Sequence, residues 1–275
     1  MKRFRKFLAV SLLFIAFTSC QKKDVATTFD EITLSQQETQ GEEALSDIDL
    51  IVDEAIDSNT SQLKAGSLAT ATYLTDCAVI TINNAISPKV ITIDFGTSCT
   101  GKDGKIRSGK IIITSDSFTT FPSVRTKTFD NYVVDGKQIK GTIVKTISKD
   151  QVNNIRTAVI SENMTINFPN SEGTATRVAN LTRQYQRGVL VSAADNKIVS
   201  WGTVAFTRVS GVTVNKTIAD STPLVFNVSC HHIVSGIVSV TTSNNFSWTI
   251  DFGNGDCDNL ATLTVGGKTK TITIR

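Results

Sequence analysis

Residues 130–147 read Asp-Asn-Tyr-Val-Val-Asp-Gly-Lys-Gln-Ile-Lys-Gly-Thr-Ile-Val-Lys-Thr-Ile. Two arms rich in Val, Ile and Thr flank Asp135-Gly136, a dipeptide suited to a type I′ turn because both of its central residues need positive φ. The stretch therefore predicts an antiparallel hairpin closing between Val134 and Lys137. Gly266-Gly267, between Val265 and Lys268, predicts another. Outward from these turns, segments of the same character recur at Ala78–Ile82, Val90–Phe95, Lys110–Thr114, Asp130–Val134, Lys140–Ile147, Val159–Phe168, Val204–Thr207, Ile233–Val240, Phe246–Phe252, Ala261–Val265 and Lys268–Ile274. No long helical pattern recurs between them, which argues against a parallel sheet. The expectation is an all-β fold: an antiparallel sandwich or a strongly curved sheet in one domain, with one N-terminal helix packed on it.

That helix is predicted over about 42–57. Leu45, Ile48, Val52 and Ala55/Ile56 recur at spacings of three and four and form an apolar stripe for the sheet, while Glu42, Glu43 and Asp47 sit in the first turns, where the helix dipole favours acids. Charge is unevenly distributed along the chain. The formal net charge is +3, yet residues 24–57 carry eleven acids and no Lys or Arg, whereas residues 58–275 carry 22 basic against 14 acidic residues. Because no run of five or six like charges occurs in 58–275, the basic excess is expected to be dispersed. The alternative is that the acidic segment folds against the basic domain.

The pentapeptide Thr-Ile-Asp-Phe-Gly occurs twice, at Thr92–Gly96 and Thr249–Gly253. Each copy is followed within four residues of its Gly by a cysteine (Cys99, Cys257) and preceded by another (Cys77, Cys230), which points to a duplicated unit over about 77–114 and 230–274. Four cysteines allow three connectivities; the duplication favours Cys77–Cys99 and Cys230–Cys257. Asp94 and Asp251 are read as strand-end acceptors for the following turn, Phe95 and Phe252 as inward-packing, and Gly96 and Gly253 as suppliers of unusual φ. The Asp-Phe-Gly of protein kinases has no companions here, since the Gly-rich loop and His-Arg-Asp are missing.

Upstream, Lys2, Arg3, Arg5 and Lys6 precede the apolar run Phe7–Phe17 and then Thr18, Ser19 and Cys20. The run is too short to span a bilayer and reads as an export signal. It resembles a bacterial lipoprotein signal, with Phe17 where Leu is usual. That resemblance implies cleavage after residue 19 and lipidation of Cys20. Residues 20–41 lack periodicity and read as a flexible tether, in which Lys22, Lys23 and Asp24 resemble a short surface-export stretch. Together, Cys20, the Asp94-Phe95-Gly96 to Cys99 segment with Asp103-Gly104, and the Asp251-Phe252-Gly253 to Cys257-Asp258 segment resemble uncharacterised secreted lipoproteins of the Bacteroidota. The resemblance implies a cell outer-membrane address and supplies no activity.

Each candidate chemistry competes with a structural role. Asp251, Asp256 and Asp258 resemble a calcium loop, but the closing Glu of an EF-hand is absent and turn roles are preferred. A zinc site from His231, His232, Cys257 and Asp258 conflicts with oxidised cysteines and with the opposite directions of adjacent strand residues. No Gly-x-Ser-x-Gly occurs, and Ser61-Gln62-Leu63-Lys64 lacks its companion motifs. Asp130 and Glu162 are the main acids expected on strands, where a glycosidase would need a facing pair. No cofactor is expected, and export disfavours nucleic acid. The functional expectation is a lipid-anchored cell-envelope protein with a structural or binding role, its partners being the membrane through Cys20 and a glycan or envelope protein at Trp201 or Trp248. The alternatives are a carrier of an apolar ligand, with the helix as lid over the curved sheet, and a hydrolase with an unrecognised carboxylate site.

Overall fold

Period-two patterning does produce strands, and fifteen are formed among the described residues of the computed structural model, which are 36–62, 77–186, 196–230 and 232–273. They lie within one compact unit, 34–275. Cys20, expected to be lipidated, the expected signal 1–19 and the expected tether as far as residue 35 lie outside the described residues. In chain order the strands are β1 (Val79–Asn83), β2 (Lys89–Asp94), β3 (Cys99–Thr100), β4 (Ile106–Ser115), β5 (Ser123–Val134), β6 (Lys137–Asp150), β7 (Ile155–Phe168) and β8 (Gly173–Gln186). They continue as β9 (Lys197–Thr207), β10 (Thr213–Ile218), β11 (Leu224–Asn227), β12 (His232–Thr242), β13 (Ser247–Asn254), β14 (Leu260–Val265) and β15 (Lys268–Thr273). All pair antiparallel in a single sheet, so the sandwich alternative gives way to one continuous sheet. Apart from β3 and β11, which pair at the side, its order follows the chain. Asp135 and Gly136 have φ of 46° and 77°, and Gly266 and Gly267 have 54° and 79°, as the two tight hairpins require.

The helix, α1, spans Gln36–Gln62, longer at both ends than the apolar stripe suggested. Gln and Glu are good helix formers, and the polar residues beyond 57 cost only tenths of a kcal/mol each, so a nucleated helix propagates past its buried face. Residues 36–41 are accordingly helix rather than tether. The predicted stripe is buried: Leu45 is 6% exposed, Ile48 0%, Val52 1%, Ala55 0% and Ile56 2%, joined by Ile51 at 0%.

The sheet must bend around this helix. Arg107 on β4 bonds Asp47 of α1, while a Cβ placed on Gly41 would lie 3.0 Å from Phe206 on β9. Five strand spacings separate β4 from β9, about 24 Å if flat, yet a helix with its side chains is only ~10–12 Å across. The inner face closes round α1 as one core, which includes Ile91, Ile113, Ile143, Ile160, Met164 and Phe206.

The doubled cysteine units occupy the two ends of the sheet, as β1-β2-β4 and β12-β13-β14. Cys77 bonds Cys99 and Cys230 bonds Cys257, with Cα separations of 5.6 and 5.3 Å. In both copies the Asp carboxylate accepts from the Gly amide two residues on, Asp94 from Gly96 at 2.8 Å and Asp251 from Gly253 at 2.9 Å. Gly96 and Gly253 take φ of 62° and 82°. The phenylalanines differ. Phe95 is buried against Tyr132, whereas Phe252 is half-buried.

Candidate functional site

The inner phase of a sheet strand should be apolar, and here it is repeatedly charged. On β6, Lys145 alternates with the buried Ile139, Ile143 and Ile147; on β7, Arg156 and Glu162 alternate with Ala158, Ile160 and Met164; on β8, Arg177 and Arg183 share a phase with Ala175 and Ala179. Arg125 and Lys127 do the same on β5, and both are buried. A buried charge demands a partner.

Helix α1 supplies most of the partners. Asp47, 2% exposed, takes Nε of Arg107 at 3.1 Å and Nζ of Lys105 at 3.2 Å, and Arg107 also reaches Asp103. Asp47 is therefore a buried ion-pair residue rather than a dipole-stabilised acid of the first turns, since the helix begins eleven residues before it. On the opposite flank of the stripe Asp49 pairs with Lys127 and lies 3.8 Å from Arg183. Burial would raise the Asp49 carboxyl, but the charges of Lys127, Lys145 and Arg183 outweigh it and hold that carboxyl well below the usual range. The basic excess is thus not merely dispersed; part of it converges on the acidic helix. Glu162, expected as a strand acid, is bound to Arg177 on the neighbouring strand.

Beyond Val52 the contact between helix and sheet opens into a cavity of about 770 Å³. Its walls combine Ile56, Phe118, Phe121, Tyr185 and Ile198 with four basic side chains, Arg125, Lys145, Arg156 and Arg183, and one carboxylate, Asp53. The register explains the arrangement. Arg125 faces Lys145 across β5–β6, Ile147 faces Ala158 across β6–β7, and Ala158 faces Arg183 across β7–β8, so the cations surround a low floor of Ile147 and Ala158. Arg156 lies 5.3 Å from the Phe121 ring centroid, and Arg125 lies 6.0 Å from that of Phe118 and donates to the Phe118 carbonyl at 3.2 Å. Burial lowers the Lys145 ammonium, Lys127 and Arg183 lower it further, and Asp49 and Asp53 work against them.

The residues singled out from sequence lie elsewhere. Trp248 is 7% exposed and packs against Phe246 with ring centroids 5.5 Å apart, so it is core and offers no platform. Trp201 is half-buried and shares the outer face with Thr182 and the exposed Val159. Asp258 accepts the Leu260 amide at 3.1 Å and Asp251 the Gly253 amide, so these carboxylates serve their own turns; Asp256 is exposed. The thiols of Cys230 and Cys257 are consumed in their disulfide, His232 opens β12, and His231 lies outside the described residues. Among the described residues no three His, Cys, Asp or Glu side chains gather as a metal site would need. Asp49, Asp94, Asp103 and Asp150 all shift down, the direction opposite to that of a carboxylic acid catalyst.

No family model, curated protein or solved structure matches this chain. The hollow is amphipathic, with four cations set among apolar walls.

Proposed function

We propose that the protein is a lipid-anchored cell-envelope protein with a binding role, holding a ligand that has an apolar body in the cavity beyond Val52. The observation that carries this reading is the cavity itself. Leu45 to Val52 sit on a filled core, and the hollow begins only where Asp53 and Ile56 meet the sheet. Its volume suits a small molecule, and such sites combine apolar walls with a few placed polar groups. The basic and apolar run ending at Cys20 supports membrane attachment through acyl chains. Carriage of an apolar ligand is retained in altered form, since the hollow meets the helix only at Asp53 and Ile56 instead of lying under the whole stripe.

Palmitate labelling and probe binding test both halves. Label should enter the wild type and not Cys20→Ser. The secreted chain starting at residue 21, which contains the whole compact unit 34–275, should bind N-phenyl-1-naphthylamine one to one and lose it in Ala158→Phe, which fills the cavity floor. Absence of label would refute the anchor, and a probe indifferent to Ala158→Phe would refute the cavity.

A further inference from the structure

We propose, resting on the cavity as a ligand site, that the ligand carries a phosphate monoester at the head of its apolar body. Four adjacent strands, β5 to β8, each deliver one cation to the same hollow, whose lining carboxylate is Asp53, while Asp49 stands 3.8 Å from Arg183. Arg125 and Lys145 stand directly opposite one another in register, so both reach the same part of the hollow. The lining holds more cations than carboxylates, which favours an anion. A carboxylate brings one charge and two oxygens, whereas a phosphate monoester brings ~1.5–2 charges near neutral pH and three acceptor oxygens.

The donors also have the right form. Three of the four are guanidiniums, whose planar forks match phosphate oxygens two at a time. Two are already held before any ligand arrives: Arg156 against the Phe121 ring, and Arg125 against Phe118 by both its ring and its carbonyl. Side chains fixed in advance lower the ordering cost of binding. Ala158 keeps the floor low, so a head group can settle among the cations while the body lies on Ile56, Tyr185 and Ile198. A phosphate takes the room of roughly two waters at ~30 Å³ each, which leaves most of the 770 Å³ for apolar atoms. A lipid head group and a free phosphorylated metabolite share this chemistry.

Isothermal titration of the chain starting at residue 21 distinguishes the possibilities, using dodecyl phosphate, dodecanoate, dodecyl maltoside and inorganic phosphate below micellar concentrations. Dodecyl phosphate should bind at least ~10-fold more tightly than dodecanoate and far more tightly than inorganic phosphate. Arg156→Gln and Lys145→Gln should each cost it about tenfold, as loss of one charge-assisted hydrogen bond does, and leave dodecyl maltoside unchanged. Ala158→Phe should abolish binding of every amphiphile. Dodecanoate or dodecyl maltoside binding as well as dodecyl phosphate would overturn the phosphate head while leaving the apolar cavity standing. Inorganic phosphate binding equally well would overturn the apolar body, and failure of all four probes would end both readings.

Discussion

Replacing Arg107 with Leu should be among the most damaging single changes in this protein. Arg107 is 1% exposed, and its removal leaves Asp47, 2% exposed, with the Lys105 ammonium at 3.2 Å as its remaining ion-pair partner. Stripping one partner from a buried pair costs about 3–5 kcal/mol, because the other charge stays desolvated without compensation. For a domain of this size that corresponds to a fall in melting temperature of roughly 6–20 °C. Asp47→Leu alone should cost a similar amount. The double variant Asp47→Leu/Arg107→Leu should recover most of the loss, to within about 1 kcal/mol of wild type, since an apolar pair of similar volume is often as stable as the ions it replaces. Asp103, whose side chain is 21% exposed, can then turn to water. Urea and thermal melts at pH 7 with disulfides intact would supply the cycle. A single Arg107→Leu costing under about 1 kcal/mol, or two losses that simply add, would mean that this flank of the helix is wet and that the pairing is incidental.

Four further outcomes follow from the same contacts. Asp49→Asn should be clearly less stable than wild type at pH 7, and the gap should narrow as pH falls from about 4 to 2. A carboxyl held low by Lys127, Lys145 and Arg183 gives stability that is present above its unfolded value and lost on approach to its folded one; urea midpoints at pH 7 and pH 3 that show a widening gap would contradict this. Gly41→Leu should cost ~1–3 kcal/mol by overpacking, because its Cβ would already stand 3.0 Å from both Ile166 and Phe206; an unchanged melt would show slack in that contact. Removing either disulfide as an Ala pair should cost about 3.5 kcal/mol on the loop-entropy model, since the sequence separations are 22 and 27; a loss confined to one pair would show that the two units are not equivalent staples. Amides of residues 44–56 should exchange hydrogen only with global unfolding, and faster exchange there would make the helix a lid.

Much of the fold was written in local pattern. The Asp135-Gly136 and Gly266-Gly267 turns, the helical stripe and the doubled cysteine unit each depend on a few neighbouring residues, and each was legible. The segments at Gly173–Gln186, Thr213–Ile218 and Leu224–Asn227 were not recognised as strands. On Gly173–Gln186 the buried positions are Ala175, Arg177 and Ala179, too small or too polar to raise a hydrophobic signal, and Arg177 is tolerable inside only because Glu162 waits on the next strand. The cavity was missed for the same reason. Lys145 standing in phase with Ile143 and Ile147 was a visible clue, but its meaning depends on Arg125, Arg156 and Arg183 arriving from three other strands, which only the register reveals. Aromatic residues misled in the opposite way, because Trp248 is large enough to serve either a surface platform or a core, and the core took it.

Only the apolar-carrier alternative makes the helix a lid, and its energetics argue that it is part of the core. Leu45, Ile48, Ile51, Val52 and Ile56 are all at most 6% exposed, and burying five such side chains is worth ~10 kcal/mol. That is comparable with the entire stability of an ordinary domain, before the buried pairs of Asp47 and Asp49 are counted. Lifting α1 off the sheet would therefore amount to unfolding. The charge pattern points the same way. Arg107 and Lys127 meet the carboxylates of Asp47 and Asp49, and Arg177 meets Glu162, so cations along the filled part of the inner face are matched by anions built into the chain. Arg125, Lys145, Arg156 and Arg183 line the hollow beside Asp53, with Asp49 3.8 Å from Arg183. An inner face that gathers four cations where it is open, beside a helix that belongs to the core, is arranged for an anion that arrives from outside.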